Sequence, residues 1–200
     1  NLNVSEVILW DDNHGFWVAK SEEEVKALGV KCHSFEADLN DIPSVMKMLS
    51  DIDALGVDIE VVLNNAGLQI AYRPEYCVTP PEDFTVSFNV NTIAPAMICY
   101  HYLPGMLEKG FGRIVNTTSG IDKEPEQAGY SAAKAALDKI TKDMASRLGG
   151  TGVTMNLIVA IIFAITDGFG IAESLKELLY EYFSNSQQIV DVVLGFAQNI

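Results

Sequence analysis

The sequence is poor in positive charge. Its 200 residues hold 13 Lys and Arg against 27 Asp and Glu, for a net charge of −14. A nucleic-acid binder needs a basic stripe along the phosphates, so that class is excluded. Docking on anionic lipid is disfavoured for the same reason, and no polybasic segment occurs. Cysteine is scarce too: Cys32, Cys77 and Cys99 are scattered, odd in number, and form no Cys-x-x-Cys pair. His14, His33 and His101 do not cluster either. A disulfide framework and a zinc site are therefore not expected, and unpaired thiols suit a reducing, cytoplasmic location. Long apolar runs are also missing. The most apolar stretch, Leu157 to Ile165, has nine residues, too few to span a membrane, and reads as a buried strand. No charged segment with an apolar run behind it opens the sequence, so no signal peptide is expected. The first residue is not Met, which suggests that the chain begins inside a longer protein. There is no repeat, linker or low-complexity tract. What is present is 48% hydrophobic residues, enough for the core of one domain over 1–200.

Two periodicities alternate along the chain. Val7 to Trp10, Lys31 to Ala37, Ile59 to Leu63, Gly112 to Thr117 and an overlong Val153 to Ile165 read as strands. Helical spacing appears over 17–28, with a solvated Glu22-Glu23-Glu24 face, and at Ile42, Val45, Met46, Leu49, Ile52 and Leu55. It returns over 82–107, where Pro95 marks a kink or boundary, and over 130–148. Residues 171–182 and 189–196 form two further amphipathic segments. Strands separated by crossover-length helices pair in parallel through right-handed connections, and apolar strands imply a sheet covered on both faces. The expected fold is α/β, a doubly wound parallel sheet of Rossmann type in three α/β/α layers. Ligands of such sheets lie beyond the carboxyl ends of the strands.

The residues at those ends carry the chemistry. Tyr130-Ser131-Ala132-Ala133-Lys134 sets a phenol and an ammonium at i and i+4, on one helical face. An ammonium beside a phenol stabilises the phenolate and lowers its pKa, which suits proton exchange with a carbonyl or alcohol. Taken alone, such a pair is an ordinary feature of helix surfaces. Ser119 lies eleven residues upstream at a strand end, where a hydroxyl can reach the same substrate oxygen; without that context it is a turn or capping serine. Asn64-Asn65-Ala66-Gly67 follows another strand, with a glycine that permits close backbone approach and Asn side chains able to tie loops together.

Asn64-Asn65-Ala66-Gly67, Phe88-Asn89-Val90-Asn91, Gly112 to Gly120 and Tyr130 to Lys134 occur in the order and rough spacing of the short-chain dehydrogenase/reductase family, which the chain resembles from about Val7 to Ile158 and more loosely to its end. The resemblance implies a nicotinamide-dependent oxidoreductase of alcohols and carbonyls. It implies Tyr130 as acid and base, Lys134 as the group that lowers its pKa and holds the nicotinamide ribose, Ser119 as positioner of the substrate oxygen, and Asn91 as anchor of a water in the proton relay. Asn65, Ala66 and Gly67 would lie against the cofactor, and Thr166 would reach its amide. Asp11 resembles the acidic residue at the end of the second strand in members that use NAD rather than NADP; a carboxylate accepts bonds from the 2′-hydroxyl and repels a 2′-phosphate. Otherwise it is a turn-capping Asp. Asp38-Leu39 resembles the pair at the adenine, or else the N-cap side of the next helix.

Three departures stand beside the match. The family opens with a strand and a Gly-rich turn that holds the pyrophosphate, whereas only ten residues precede Asp11 and none is Gly. Ile161 to Glu173 imitates a strand, glycine turn and helix, but it continues the preceding strand without a crossover and reads as the loop after it. There the family's Pro-Gly is replaced by Ala160-Ile161. Ile189 to Ala197 resembles the helix before the family's final strand, and the chain stops there. The sheet is thus expected to be incomplete at both ends: the chain is a fragment, an imperfectly represented sequence, or one whose packing fills the gap. The rival reading is a truncated, non-catalytic relative that serves as a binding partner. A sugar-nucleotide epimerase of the extended branch shares the Tyr/Lys pair but needs a substrate domain. Pairing through 82–107 and 130–148 into a homodimer or homotetramer is implied, and the Leu, Phe and Tyr of 166–188 suggest an apolar small-molecule substrate.

Overall fold

The computed structural model describes residues 5–11, 22–70, 73, 79–120 and 125–160. The expectations for Thr166, for the first part of the 17–28 helix and for the segments beyond 160 lie outside these residues. The described residues fall into two compact units, divided between Asp38 and Leu39.

In the first unit, β1 (Glu6–Asp11) and β2 (Lys31–Glu36) pair in parallel, Glu6 opposite Lys31 and Asp11 opposite Glu36. Helix α1 (22–27) connects them and buries Val25 completely. Its acidic face is in water, as the glutamate run predicts; Glu22 pairs with Lys26 one turn on and accepts from the Ser34 hydroxyl at 2.5 Å. Glu6 stands 2.6 Å from the His33 ring and 3.4 Å from the Lys31 ammonium.

The second unit is built on β3 (Val61–Asn64), β4 (Gly112–Ser119) and β5 (Val153–Ala160), parallel and in the order β3-β4-β5. Asn64 pairs with Asn116, and Ser119 with Ala160, so β4 and β5 end side by side while β3 ends beside Asn116, one short step before the end of β4. All the described strands pair in parallel, as the spacing of strands and helices predicts. Helix α2 (Ile42–Asp53) buries Val45, Met48, Leu49 and Ile52, one stripe at helical spacing.

The region predicted as one kinked helix is resolved into three parts. Helix α3 (Pro81–Phe88) opens on Pro at its first turn with Glu82 and Asp83 beside the positive end of its dipole. A single π turn follows (Asn89–Ile93), and α4 (Ala94–Lys109) completes the run. The break precedes Pro95 rather than sitting on it. A proline has no N–H for the carbonyl four residues back, and its ring clashes with that carbonyl, here Asn91. The wider turn accommodates this: the Ala94 N–H reaches back to the Asn89 carbonyl, five residues away. Helix α5 (Ala128–Ala145) buries Tyr130, Ala133, Lys134, Leu137, Thr141 and Met144 on one face. No described helix is long and apolar enough to cross a membrane, and no cluster of metal-ligating side chains occurs among the described residues.

Candidate active site

The ends of β3 and β4, the π turn and the first two turns of α5 bring most of the expected residues together. Ser119 is the last residue of β4 and hydrogen-bonds the Tyr130 phenol at the start of α5. Tyr130 is 5% exposed. Burial pushes its phenol above the ordinary range, and the Ser119 hydroxyl, which favours the phenolate, only partly opposes this. Lys134 is the group expected from the sequence to lower the phenol's pKa. The Lys134 ammonium stands 6.0 Å from the centre of the Tyr130 ring. It is itself buried, its pKa falls to about 8 for that reason, and it donates to the Thr117 carbonyl at 2.9 Å.

Asn91 is fully buried in the π turn. Its Oδ1 accepts from the Leu68 N–H at 3.1 Å and its Nδ2 donates to the Leu68 carbonyl at 2.9 Å. The side chain sets the course of the loop that follows β3. Gly67 in that loop sits in tight space: a Cβ there would stand 3.1 Å from both Asn91 Oδ1 and Lys134 Nζ. Asn65 accepts from the Thr117 hydroxyl at 3.0 Å, which ties the two strand ends together. The residues of Asn64 to Gly67 thus join neighbouring elements, as their types suggested.

A buried polar network supports these strand ends from below, and here the sequence reading stopped short. Asn64 Nδ2 donates to Asn116 Oδ1 at 2.8 Å, and Asn116 Nδ2 to the Thr141 hydroxyl at 2.9 Å. Thr118 Oγ1 and Thr92 Oγ1 donate to the Lys134 and Ala133 carbonyls at 3.2 and 2.7 Å, fixing the backbone of α5 against β4 and the π turn. Polar residues at the end of an otherwise apolar strand, Asn116-Thr117-Thr118, were the available signal. Cys99 borders the same network, and burial pushes its thiol up to about 11, so it stays a neutral thiol.

Asp11 and Asp38, also expected at the cofactor, belong to the first unit. Asp11 is the last residue of β1. Asp38 is exposed two residues past β2, while Leu39 is 2% exposed. Asp41, not Asp38, occupies the N-cap of α2.

Comparison with known proteins agrees with this geometry. A profile of the short chain dehydrogenase family matches residues 5–172. Nodulation protein G of Azospirillum brasilense is 29% identical over 168 residues, covering 82% of this chain and 65% of that protein. The 2-dehydro-3-deoxy-L-rhamnonate dehydrogenase (NAD(+)) of Sphingomonas sp. (strain SKA58) is 31% identical over 159 residues, covering 78% of this chain and 61% of its own. The chain therefore spans a little under two thirds of the length of these relatives. Among solved structures, an NAD+-bound xylitol dehydrogenase superposes with a TM-score of 0.71 at 25% identity, over 93% of this chain and 72% of that one. The fold is the Rossmann-like α/β fold of these neighbours. With its parallel strands, its Tyr130/Lys134 helix face and a family match over most of its length, the chain belongs to the short-chain dehydrogenase family.

Proposed function

We propose that the chain carries the catalytic centre of an oxidoreductase that interconverts an alcohol and a carbonyl by hydride transfer with NAD. One observation carries this reading: the hydrogen-bonded Ser119 and Tyr130 hydroxyls, brought from β4 and α5, with the Lys134 ammonium buried one turn behind them. A carbonyl oxygen set between two hydroxyls accepts from both, which polarises the carbonyl. The raised pKa of Tyr130 keeps its phenol protonated at neutral pH, the form that donates when a carbonyl is reduced. As the proton leaves, Ser119 and the ammonium stabilise the phenolate. Asn91 holds the loop beside them.

The donors fit a nicotinamide nucleotide. The Lys134 ammonium has three protons and gives one to the Thr117 carbonyl, and Gly67 keeps the space beside it free of a side chain. Lys134, Tyr130 and the Asn65-Ala66-Gly67 segment would hold the nicotinamide riboside, and the bound nucleotide supplies or takes the hydride. Asp11 would accept from the ribose 2′-hydroxyl, favouring NAD over NADP. Asp38 and Leu39 at the adenine, and Thr166 at the amide, are assigned on family resemblance, as are an apolar substrate, a homodimer or homotetramer, and the cytoplasm.

Titration with NADH, followed by energy transfer from protein to nicotinamide, tests the reading. Saturation below millimolar cofactor, with oxidation of NADH by an apolar ketone, supports it. No binding at millimolar NADH leaves the non-catalytic alternative.

A further inference from the structure

Gln127 lies three residues before Tyr130 and seven before Lys134, so the three side chains share the face that α5 and its leading turn present to the loop after β3. It is 4% exposed, and its amide is engaged at both ends. Nε2 donates to the Ile70 carbonyl at 2.9 Å, and Oε1 accepts from Gln69 Nε2 at 3.1 Å. Seven residues further along the helix, Lys134 lies against Gly67. Residues 67–70 therefore run antiparallel to this face, with Gly67 close to Lys134 on one side of Tyr130 and Gln69 and Ile70 hydrogen-bonded to Gln127 on the other. Leu68 falls between them, its backbone held by Asn91 and the residue 36% exposed.

The same loop is anchored again one step on. The Arg73 N–H donates to the Glu126 carbonyl at 3.0 Å, beside Gln127. The Arg73 guanidinium grips Asp83 of α3 with two bonds, at 2.6 and 2.5 Å. A Cβ on Gly129 would come within 3.0 Å of the Asp83 carbonyl, so α3 and the start of α5 meet backbone to backbone. None of these groups takes part in the proton chemistry.

We propose that Gln127 is a positioning residue for Tyr130. It locks Gln69 and Ile70 along the Tyr130 face and so holds Leu68 as the apolar wall against which substrate lies. The role needs a side chain that both donates and accepts. Glutamate keeps the acceptor but sets a carboxylate against the Ile70 carbonyl. Leucine keeps the approximate size and leaves that carbonyl without its partner. The proposal rests on the functional reading above.

The test combines steady-state kinetics with hydrogen exchange on the wild-type chain and on Gln127→Leu, Gln127→Glu and Gln69→Ala. For Gln127→Leu, kcat for ketone reduction is expected to fall at least tenfold and KM for the ketone to rise, while KM for NADH stays within twofold. Amides of residues 68–70 exchange at least tenfold faster, and those of 137–145 keep their protection, which shows an intact fold. Gln127→Glu behaves like Gln127→Leu. Gln69→Ala has a smaller effect and adds nothing in the Gln127→Leu background, because the two share one bond. Unchanged exchange at 68–70 overturns the clamp. Faster exchange with unchanged kcat overturns the positioning role while the functional reading stands. A wild-type chain that binds no NADH and turns over no ketone overturns the functional reading and the positioning role with it.

Discussion

Asn91 holds Leu68 by both of its backbone polar groups, accepting from the N–H at 3.1 Å and donating to the carbonyl at 2.9 Å. A side-chain amide used in this way imitates a neighbouring strand, and it fixes the loop that leaves β3. The π turn that Pro95 imposes is the element that carries Asn91, fully buried, to the loop.

Replacing Asn91 with alanine removes both bonds and leaves a small cavity. The loss is expected to be about 2–4 kcal/mol of stability, read from the urea midpoint. Ketone reduction should fall at the same time by tenfold or more, because the loop beside Tyr130 is no longer held.

Tyr130→Phe removes only the hydroxyl. Turnover should disappear while NADH affinity, measured by energy transfer, stays near that of the parent chain. Retained turnover would exclude Tyr130 as the acid and base.

Lys134 titrates near 8 in the folded chain because it is buried, against an ordinary value of 10.5. Between those values the unfolded chain binds the proton more tightly, so stability rises with pH from about 8 to 10.5, and below 8 the full cost is present. That cost is on the order of 3 kcal/mol. Lys134→Met is therefore expected to stabilise the chain at pH 7 by about 1–3 kcal/mol, the lower end reflecting the bond lost at the Thr117 carbonyl, and the gain should shrink by pH 10. Urea unfolding at both pH values measures it. A destabilised variant at pH 7 would show that the ammonium is better accommodated than its burial suggests.

Asp11 ends β1, and in the proposed role its carboxylate would repel a 2′-phosphate. Asp11→Ala should narrow the preference for NAD over NADP by roughly tenfold, an amount corresponding to one charge–charge contact near the surface. An unchanged preference would leave Asp11 as a turn residue.

The order of strands and helices was legible because periodicity is a local property. Val45, Leu49 and Ile52, read at helical spacing, do lie on the buried face of α2, whereas Met46 is exposed and Met48 is buried beside them. The Tyr130/Lys134 pair was legible for the same reason, four residues on one helix. The π turn was less so: Pro95 announced a break, but its ring acts four residues upstream and moved the irregularity to Asn89–Ile93. Gln127 was not legible at all, since its partners lie 57 and 58 residues away and a glutamine bound to a distant carbonyl leaves no local pattern.

By itself, then, the sequence determined the order of the described elements and the types of chemistry available at the strand ends, which follow from short-range spacing, and its motifs carried the resemblance to the family. Tertiary structure alone decided the state of that chemistry. Burial raises the Tyr130 phenol and lowers the Lys134 ammonium toward 8, and burial depends on which distant residues close over a group rather than on its neighbours in the chain.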